Sequence, residues 1–254
     1  MALTEAHHRA TAHAMAFDGV SMTFPNGTQA LQHVSFEVEW AELVAIVGPS
    51  GCGKSTILRI ASGLTGASSG MVRLGGTGLG YVFQDATLLP WRTVQANVEL
   101  LGELHGLSKE ERQRRAAEAI ELVGLQGFER NHPKQLSGGM RMRVSLARAL
   151  TMKPEVFLFD EPFAALDEIT RTRLNDELLR LFGLEGFAGL FITHSIPEAV
   201  YLAGRVLVMS ERPGSIVGEV RVPFAYPREP EVRFDATFAA VAGQVSALLR
   251  EGYA

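Results

Sequence analysis

One segment constrains this chain more than any other: Gly48-Pro49-Ser50-Gly51-Cys52-Gly53-Lys54-Ser55-Thr56, which matches the phosphate-loop pattern G-x-x-x-x-G-K-[ST]. An apolar run of strand length, residues 43–47, precedes it, and a helical pattern follows from Ile57. Glycines let successive backbone N–H groups point at a phosphate, and the positive end of the following helix strengthens that attraction. We therefore predict a nucleotide site at residues 48–56, in which Lys54 reaches the outer phosphates and the Ser55 hydroxyl ligates Mg²⁺.

The composition limits what else the chain can do. Its 254 residues are enough for one large domain or two small ones, and no apolar run approaches the ~20 residues that span a bilayer. The net charge of −4 gives no general attraction to nucleic acid, and a single cysteine, Cys52, excludes an internal disulfide. Residues 1–14 lack the apolar centre of a signal peptide, so we expect a flexible tail in which His7, His8 and His13 are solvated rather than bound to metal.

The flanking segments predict both strands and helices. Alternating apolar residues from Met15 to Val38 indicate two or three strands, with Phe24 either in the core or offering a ring face to a base. Helical patterns extend from Leu88 to Met152, with a capping box at Ser108-Lys109-Glu110-Glu111, and a last amphipathic pattern extends from Phe234 to Arg250. Within them, Leu136-Ser137-Gly138-Gly139-Met140 opens a helix and resembles a second anion site, for which a plain turn between two helices is the alternative.

Polar side chains follow three predicted strands. Asp160 and Glu161 end the apolar strand that starts at Glu155, and we assign Asp160 to Mg²⁺ and Glu161 to the attacking water. Gln84 ends a short strand and is a candidate for Mg²⁺ or its water, and His194 ends the strand 189–193 as a candidate phosphate contact. Ligands of α/β proteins bind at the carboxyl ends of such strands.

Taken together, these motifs resemble those of the ATP-binding-cassette ATPases. The ordered set comprises Phe24, the phosphate loop 48–56, Gln84, the signature Leu136–Met140, Asp160-Glu161, Asp167 and His194. The resemblance implies that Phe24 stacks on adenine, that Gln84 senses Mg²⁺ and the permease, and that His194 contacts the γ-phosphate. It also implies that Asp167 belongs to the nucleotide site and that Ser137, Gly138 and Gly139 bind the ATP held by a second copy of the chain.

A closer likeness is to the import ATPases for nitrate, sulfonates and taurine. It rests on Val82-Phe83-Gln84-Asp85, on Leu88-Leu89-Pro90-Trp91-Arg92-Thr93-Val94, and on Val206–Ser210 followed by Arg212-Pro213-Gly214. Met140 and Met142 stand where glutamine is frequent, and the passage between Gly75 and Gly80 is short for the family.

The predicted fold class is α/β: a P-loop NTPase (RecA-like) core with an N-terminal antiparallel β subdomain and an inserted helical subdomain. The core is expected to comprise residues 15–84 and 155–254, the helical subdomain residues 85–154, and the tail residues 1–14. Lys54, Gln84, Glu161 and His194 are the predicted catalytic residues, and Ser55, Gln84 and Asp160 the predicted metal contacts.

The expected function is hydrolysis of MgATP by a dimer that drives an integral membrane permease at the cytoplasmic face of the cell membrane. A solute-binding protein outside the cell would take part indirectly, and no nucleic-acid partner is expected. The alternatives are a cassette ATPase acting on nucleic acid or ribosomes, and a nucleotide-dependent switch or kinase. Neither alternative is favoured, because no second cassette or basic patch is visible, and because the signature and Glu161 argue against a switch or kinase.

Overall fold

A computed structural model describes residues 13–76 and 78–252 of the chain. The strands within these residues are β1 (Met15–Thr23), β2 (Gln29–Val38), β3 (Leu43–Val47), β4 (Ser69–Leu74), β5 (Leu79–Val82), β6 (Val156–Asp160), β7 (Ala188–Ile192), β8 (Arg205–Met209) and β9 (Ile216–Arg221). The α-helices are α1 (Lys54–Ala61), α2 (Val94–Val98), α3 (Leu100–Leu104), α4 (Lys109–Leu122), α5 (Gly138–Leu150), α6 (Glu168–Glu185), α7 (Ile196–Leu202) and α8 (Ala236–Glu251). Short 3₁₀ turns lie at Pro133–Gln135 and Pro230–Phe234.

The strands form two sheets. An antiparallel sheet has the order β2-β1-β4, and a larger sheet has the order β5-β6-β7-β3-β8-β9, in which only β9 runs antiparallel to its neighbour. The first five strands of the larger sheet are parallel, so their carboxyl ends meet at one edge. The phosphate loop follows β3, near the middle of that edge, as the predicted α/β class requires.

The central strand β3 shows why the larger sheet is buried on both faces. All five of its residues are buried, a composition typical of parallel strands covered by layers on each side. Leu43, Ala45 and Val47 face a cluster that includes side chains of α5, α6 and α7. Val44 and Ile46 face the other cluster, which includes α1 and the antiparallel sheet. The molecule therefore has three layers, with the phosphate loop at the edge of the middle one.

Helices α2 to α5 all lie between β5 and β6 in the chain, within the stretch 85–154 for which an inserted helical subdomain is predicted. The capping box expected at Ser108 is seen in part, since the Ser108 hydroxyl accepts the backbone N–H of Glu111 at the start of α4. Whether this stretch behaves as a unit of its own stays a prediction.

Two expectations at the chain ends need correction. Ala14 is buried and donates its N–H to the carbonyl of Val38 at 2.9 Å, and His13 Nδ1 lies 3.0 Å from Glu39 Oε1. These two residues therefore belong with the antiparallel sheet and not with a solvated tail, because the sheet continues one hydrogen bond beyond β1. The rest of the predicted tail, with His7 and His8, lies outside the described residues.

The last helix begins later than the apolar pattern indicated. Phe234 ends a 3₁₀ turn with 89% of its surface exposed, and Asp235 then caps α8 by accepting the N–H of Thr237. Phe238, Val241 and Val245 are buried, as the pattern predicts for one face of a helix. None of the helices in the described parts of the chain is both long and apolar enough to cross a bilayer.

Candidate nucleotide-binding site

The phosphate loop connects β3 to α1 through two glycines with left-handed backbone conformations. Gly51 has φ +75° and Gly53 has φ +112°. A Cβ on Gly53 would lie 2.7 Å from the Leu31 side chain and 2.8 Å from the carbonyl of Ala30, so only glycine fits between the loop and β2. The loop thus obtains its shape from positions where side chains are sterically excluded.

Lys54 is the first residue of α1 and points back across the loop. Its side chain is only 5% exposed, and Nζ donates to the carbonyls of Gly48 and Pro49 at 2.9 Å each. A carboxylate oxygen of Glu161 lies 3.9 Å from the same nitrogen. The ammonium group is therefore held at the centre of the loop by neutral acceptors that a phosphate oxygen can replace.

Ser55 and Asp160 form the predicted metal pair. The Ser55 hydroxyl donates to Asp160 Oδ1 at 2.8 Å, although 105 residues separate the two in the chain. Burial raises the pKa of Asp160, opposed by the hydrogen bonds from Ser55 and from the hydroxyl of Tyr81, which lies 3.3 Å from Oδ2. A hydroxyl and a carboxylate at this spacing are hard oxygen donors of the kind that Mg²⁺ prefers, so the donor set fits the ion.

Glu161 and His194 meet on the other side of Lys54. The Nδ1 atom of His194 lies 2.8 Å from Glu161 Oε2. Glu161 has φ +44°, in the left-handed region, while its N–H donates to the carbonyl of Ile192. The chain leaves strand geometry directly after Asp160, and this turn sends the two adjacent carboxylates to different partners. A strained backbone of this kind is frequent at functional sites.

The loop, Lys54, Ser55 and Glu161 open into one cleft of about 250 Å³. Its lining comes from the phosphate loop, from α1 and from four other segments: Phe24, Ala30, Ser50, Gly51, Gly53, Lys54, Ser55, Thr56, Glu161 and Arg212. Phe24 packs partly against the core and also lines the cleft, so the two interpretations of this ring are compatible. The cleft therefore offers an aromatic surface and an anion-binding loop together.

A larger cavity, of about 930 Å³, lies at the amino ends of β3 and β8. Within its lining Arg205 pairs with Glu42 at 2.6 Å, and it contains none of the predicted motif residues. The smaller cleft is therefore the better candidate for the functional site.

The signature residues do not reach this cleft. Ser137 is exposed and caps α5 by accepting the N–H of Met140 at 3.2 Å. Gly139 is buried against α6, where a Cβ would lie 2.5 Å from Thr170 Cγ2. Asp167 caps α6 through the N–H of Thr170, which lowers the pKa of its carboxyl. None of the residues from 136 to 140, nor Asp167, lines the cleft of its own chain.

Gln84 and Trp91 are both on the surface. Gln84 follows β5 and makes no side-chain hydrogen bond to any residue in the described parts of the chain, so its predicted role toward Mg²⁺ stays a prediction. Trp91 is 71% exposed. Its indole ring is therefore open to contact with another protein.

The sequence did not indicate two residues that the fold brings to the site. They are Tyr81 in β5, whose hydroxyl lies 3.3 Å from Asp160 Oδ2, and Arg212 in the turn between β8 and β9. The guanidinium of Arg212 donates to the carbonyl of Gly51 through Nε at 3.0 Å and through Nη2 at 2.6 Å, across 161 residues of chain. No local pattern marks either contact, because each depends on which strands become neighbours.

The comparisons with known proteins agree with this geometry. Residues 31–164 match the model of the ABC transporter family. The taurine import ATP-binding protein of Yersinia pestis is 44% identical over 205 residues, covering 78% of this chain and 80% of the relative. The aliphatic sulfonates import ATP-binding protein of Bacillus cereus is 39% identical over 224 residues, covering 84% and 88%.

Among solved structures, the chain resembles a dimeric post-hydrolysis state of the ATP-binding cassette MJ0796 bound to ADP and Pi. The TM-score is 0.74 at 31% identity, and the match covers 83% of this chain and 100% of that one. The P-loop NTPase fold predicted from the motifs is thereby confirmed.

Proposed function

This chain belongs to the ABC transporter family and is an ATP-hydrolysing transporter subunit, and from this premise we propose how it works and what it serves. MgATP binds in the 250 Å³ cleft, with adenine on Phe24 and the phosphates on residues 48–56. Ser55 and Asp160 hold Mg²⁺, which neutralises phosphate charge when it is bound. Lys54 stabilises the outer phosphates, and Glu161 orients the attacking water with His194 beside it.

The single observation that carries this proposal is the convergence on Lys54. Ser55 lies in α1 beside Lys54, Asp160 and Glu161 lie at the end of β6, and His194 follows β7. Ser55 bonds Asp160 at 2.8 Å, His194 lies 2.8 Å from Glu161, and Glu161 lies 3.9 Å from the Lys54 ammonium. Such an arrangement can position a phosphoryl group and a water without a covalent step, which is what phosphoryl transfer requires of a protein.

We further propose that two copies of the chain close around two ATP molecules. Ser137 caps α5, and residues 137–139 do not line the cleft of their own chain. The phosphate that these residues contact would therefore belong to ATP bound by a second copy. The dimeric state of the MJ0796 cassette supports this arrangement.

The transported solute is proposed from the relatives alone. Two of them are import proteins for taurine and for aliphatic sulfonates, so we propose import of nitrate, a sulfonate, taurine or a related small solute. A permease would dock near Trp91, the chain would lie at the cytoplasmic face of the membrane, and an external solute-binding protein would deliver the solute.

The proposal is tested by co-expressing the chain with candidate permeases from the genome that encodes it. We expect a complex that contains two copies of this chain and hydrolyses MgATP, and whose hydrolysis is stimulated by the solute-loaded binding protein. A chain that binds MgATP but forms a complex with no membrane protein would contradict the transport part of the proposal.

A further inference from the structure

The turn between β8 and β9 lies directly against the outer side of the phosphate loop. Gly214 donates its N–H to the carbonyl of Ala30 at 2.9 Å and accepts the N–H of Gln32 at 2.9 Å. A Cβ on Gly214 would lie 2.1 Å from the carbonyl oxygen of Cys52. Because only glycine allows this approach, the turn is fixed on both β2 and the loop, and it places Arg212 beside Gly51.

Arg212 binds the loop through two of its nitrogens. Nε and Nη2 both donate to the carbonyl of Gly51, at 3.0 Å and 2.6 Å. Gly51 has φ +75°. Because glycine has no side chain, this residue could also adopt several other backbone conformations. Since a planar peptide directs its C=O and N–H to opposite sides, holding this carbonyl outward also fixes the direction of the next N–H, that of Cys52. That N–H has only a long bond, 3.4 Å to the carbonyl of Pro49.

The charge balance of the cleft also depends on Arg212. The charged side chains that line the cleft are Lys54, Glu161 and Arg212. Lys54 has Glu161 at 3.9 Å, whereas in residues 13–76 and 78–252 no carboxylate oxygen lies within 4.0 Å of the Arg212 guanidinium. Its Nη1 makes no hydrogen bond to those residues either. Among the charged side chains that line the cleft, Arg212 is therefore a cation without a carboxylate partner, and it retains donors that the loop does not use.

We propose that Arg212 is a positioning residue for the nucleotide: it holds the Gly51 peptide in the orientation that binds phosphate, and its charge favours a triphosphate in the cleft. This inference rests on the proposed function, because it takes the ligand to be a nucleoside triphosphate. The guanidinium fork is needed to hold the Gly51 peptide, whereas any cation at this position would contribute to the attraction of a triphosphate.

The test compares MgATP dissociation constants, measured by titration calorimetry with a non-hydrolysable analogue at about 0.05 M and about 0.5 M salt. The variants are Arg212→Gln, which removes the charge and the fork, and Arg212→Lys, which keeps the charge. Arg221→Gln is the matched control, because this β9 side chain is 87% exposed and does not line the cleft. Thermal melts in the absence of nucleotide accompany each variant.

We expect Arg212→Gln to weaken binding about tenfold, which corresponds to about 1.4 kcal/mol and is typical of the loss of a hydrogen bond from a charged group. Arg212→Lys should lie between wild type and Arg212→Gln at low salt. At high salt it should approach Arg212→Gln, because screening removes the effect of charge but not that of the fork. Arg221→Gln should stay within about twofold of wild type.

The inference is overturned if Arg212→Gln binds within about twofold of wild type at both salt concentrations, as Arg221→Gln is expected to do. It is equally overturned if Arg212→Lys binds as wild type does at high salt, since the fork would then be unimportant. Failure of the wild-type chain to bind MgATP would instead contradict the proposed function, so the two failures are distinct. Should Arg212→Gln not fold, the comparison of wild type with Arg212→Lys still decides the role of the fork.

Discussion

Helices α1 and α5 both begin beside glycines, yet their starts are built differently. The start of α1 is enclosed: Lys54, Glu161 and the loop carbonyls face each other within 4 Å. The start of α5 is open: Ser137 is exposed, and its hydroxyl caps its own helix. Around α1 the fold collects charged and metal-binding side chains from distant strands, whereas around α5 it supplies only backbone N–H groups, a hydroxyl and close packing on α6.

The difference shows that an anion-binding helix end is not by itself a reaction site. The α1 site contains groups that bind, neutralise charge and orient water, so one chain is expected to bind MgATP. The α5 site contains donors alone, so it is expected to act only on a phosphate that is already held elsewhere. The predictions below test this division between a complete site and an incomplete one.

The largest effect is expected from Glu161→Gln, which removes the carboxylate beside Lys54 and His194 but keeps the side-chain shape. General-base positioning contributes about 10²–10⁴-fold in rate, so ATP hydrolysis should fall by that factor while MgATP affinity stays close to wild type. Single-turnover hydrolysis and equilibrium binding check this. The variant should also accumulate as an ATP-bound dimer in size-exclusion chromatography. A Glu161→Gln chain that hydrolyses ATP normally would show that another group, with His194 the first candidate, orients the water.

Ser137→Arg tests the open site. The bulky cation would occupy the space of a phosphate from a second copy and remove the hydroxyl that caps α5. We expect at least a tenfold loss of hydrolysis and no MgATP-induced dimer, with binding of MgATP to the single chain within about twofold of wild type. Light scattering with and without MgATP measures the dimer. Ser137→Ala is the control, since it removes the hydroxyl without adding bulk. Cooperative hydrolysis by Ser137→Arg would contradict a role for α5 in a second copy's site.

Asp160→Asn tests whether the buried carboxylate of the α1 site lowers the stability of the nucleotide-free fold. Burial raises the pKa of Asp160, so this group stabilises the fold below its ordinary pKa and loses that contribution as the pH rises through the raised value. At neutral pH the ionised carboxyl is therefore unfavourable in the nucleotide-free chain. We expect Asp160→Asn to raise the melting temperature by a few degrees at pH 7, and this gain to shrink as the pH is lowered. The variant should also lose the Mg²⁺ dependence of ATP binding.

The control for this prediction is Asp167→Asn. The N–H of Thr170 lowers the pKa of Asp167, so this carboxyl stabilises the fold above its ordinary pKa and loses that contribution as the pH falls. Asp167→Asn should therefore give no gain in melting temperature at neutral pH. A gain of equal size in both variants would mean that removal of any negative charge stabilises the chain, independent of burial.

The smallest effect on the isolated chain is expected from Trp91→Ala, on the helical side of the molecule that also contains α5. Because Trp91 is 71% exposed, the free energy of unfolding should change by no more than about 0.5 kcal/mol. If the permease docks here, transport should be lost while ATP hydrolysis by the isolated chain continues. Val98→Ala is a contrasting variant. Because Val98 is fully buried in α2, this substitution should destabilise the chain. A large loss of stability in Trp91→Ala with transport intact would contradict the docking proposal.

Much of the fold was predictable from local patterns. The alternation in residues 15–38 indicated two or three strands, of which the structure has β1 and β2. The apolar runs before Gly48, Asp160 and His194 predicted β3, β6 and β7, these three within about a residue of their observed bounds. Strands and caps of this kind depend on neighbours a few residues away, which sequence patterns record. The boundary at Ala14 and the start of α8 were misplaced, because a sheet hydrogen bond and a capping aspartate decided them.

By itself the sequence determined the nine-residue phosphate loop, the strand ends that bear Asp160, Glu161 and His194, and the family to which these motifs belong. Each of these is a short-range feature, because it is read from the residue types and their order within one short segment. Only the tertiary structure decided that Arg212 binds Gly51, that Tyr81 binds Asp160, and that the signature lies outside the cleft. Those contacts join segments 79 to 161 residues apart, and no pattern within a segment specifies which distant segment becomes its neighbour.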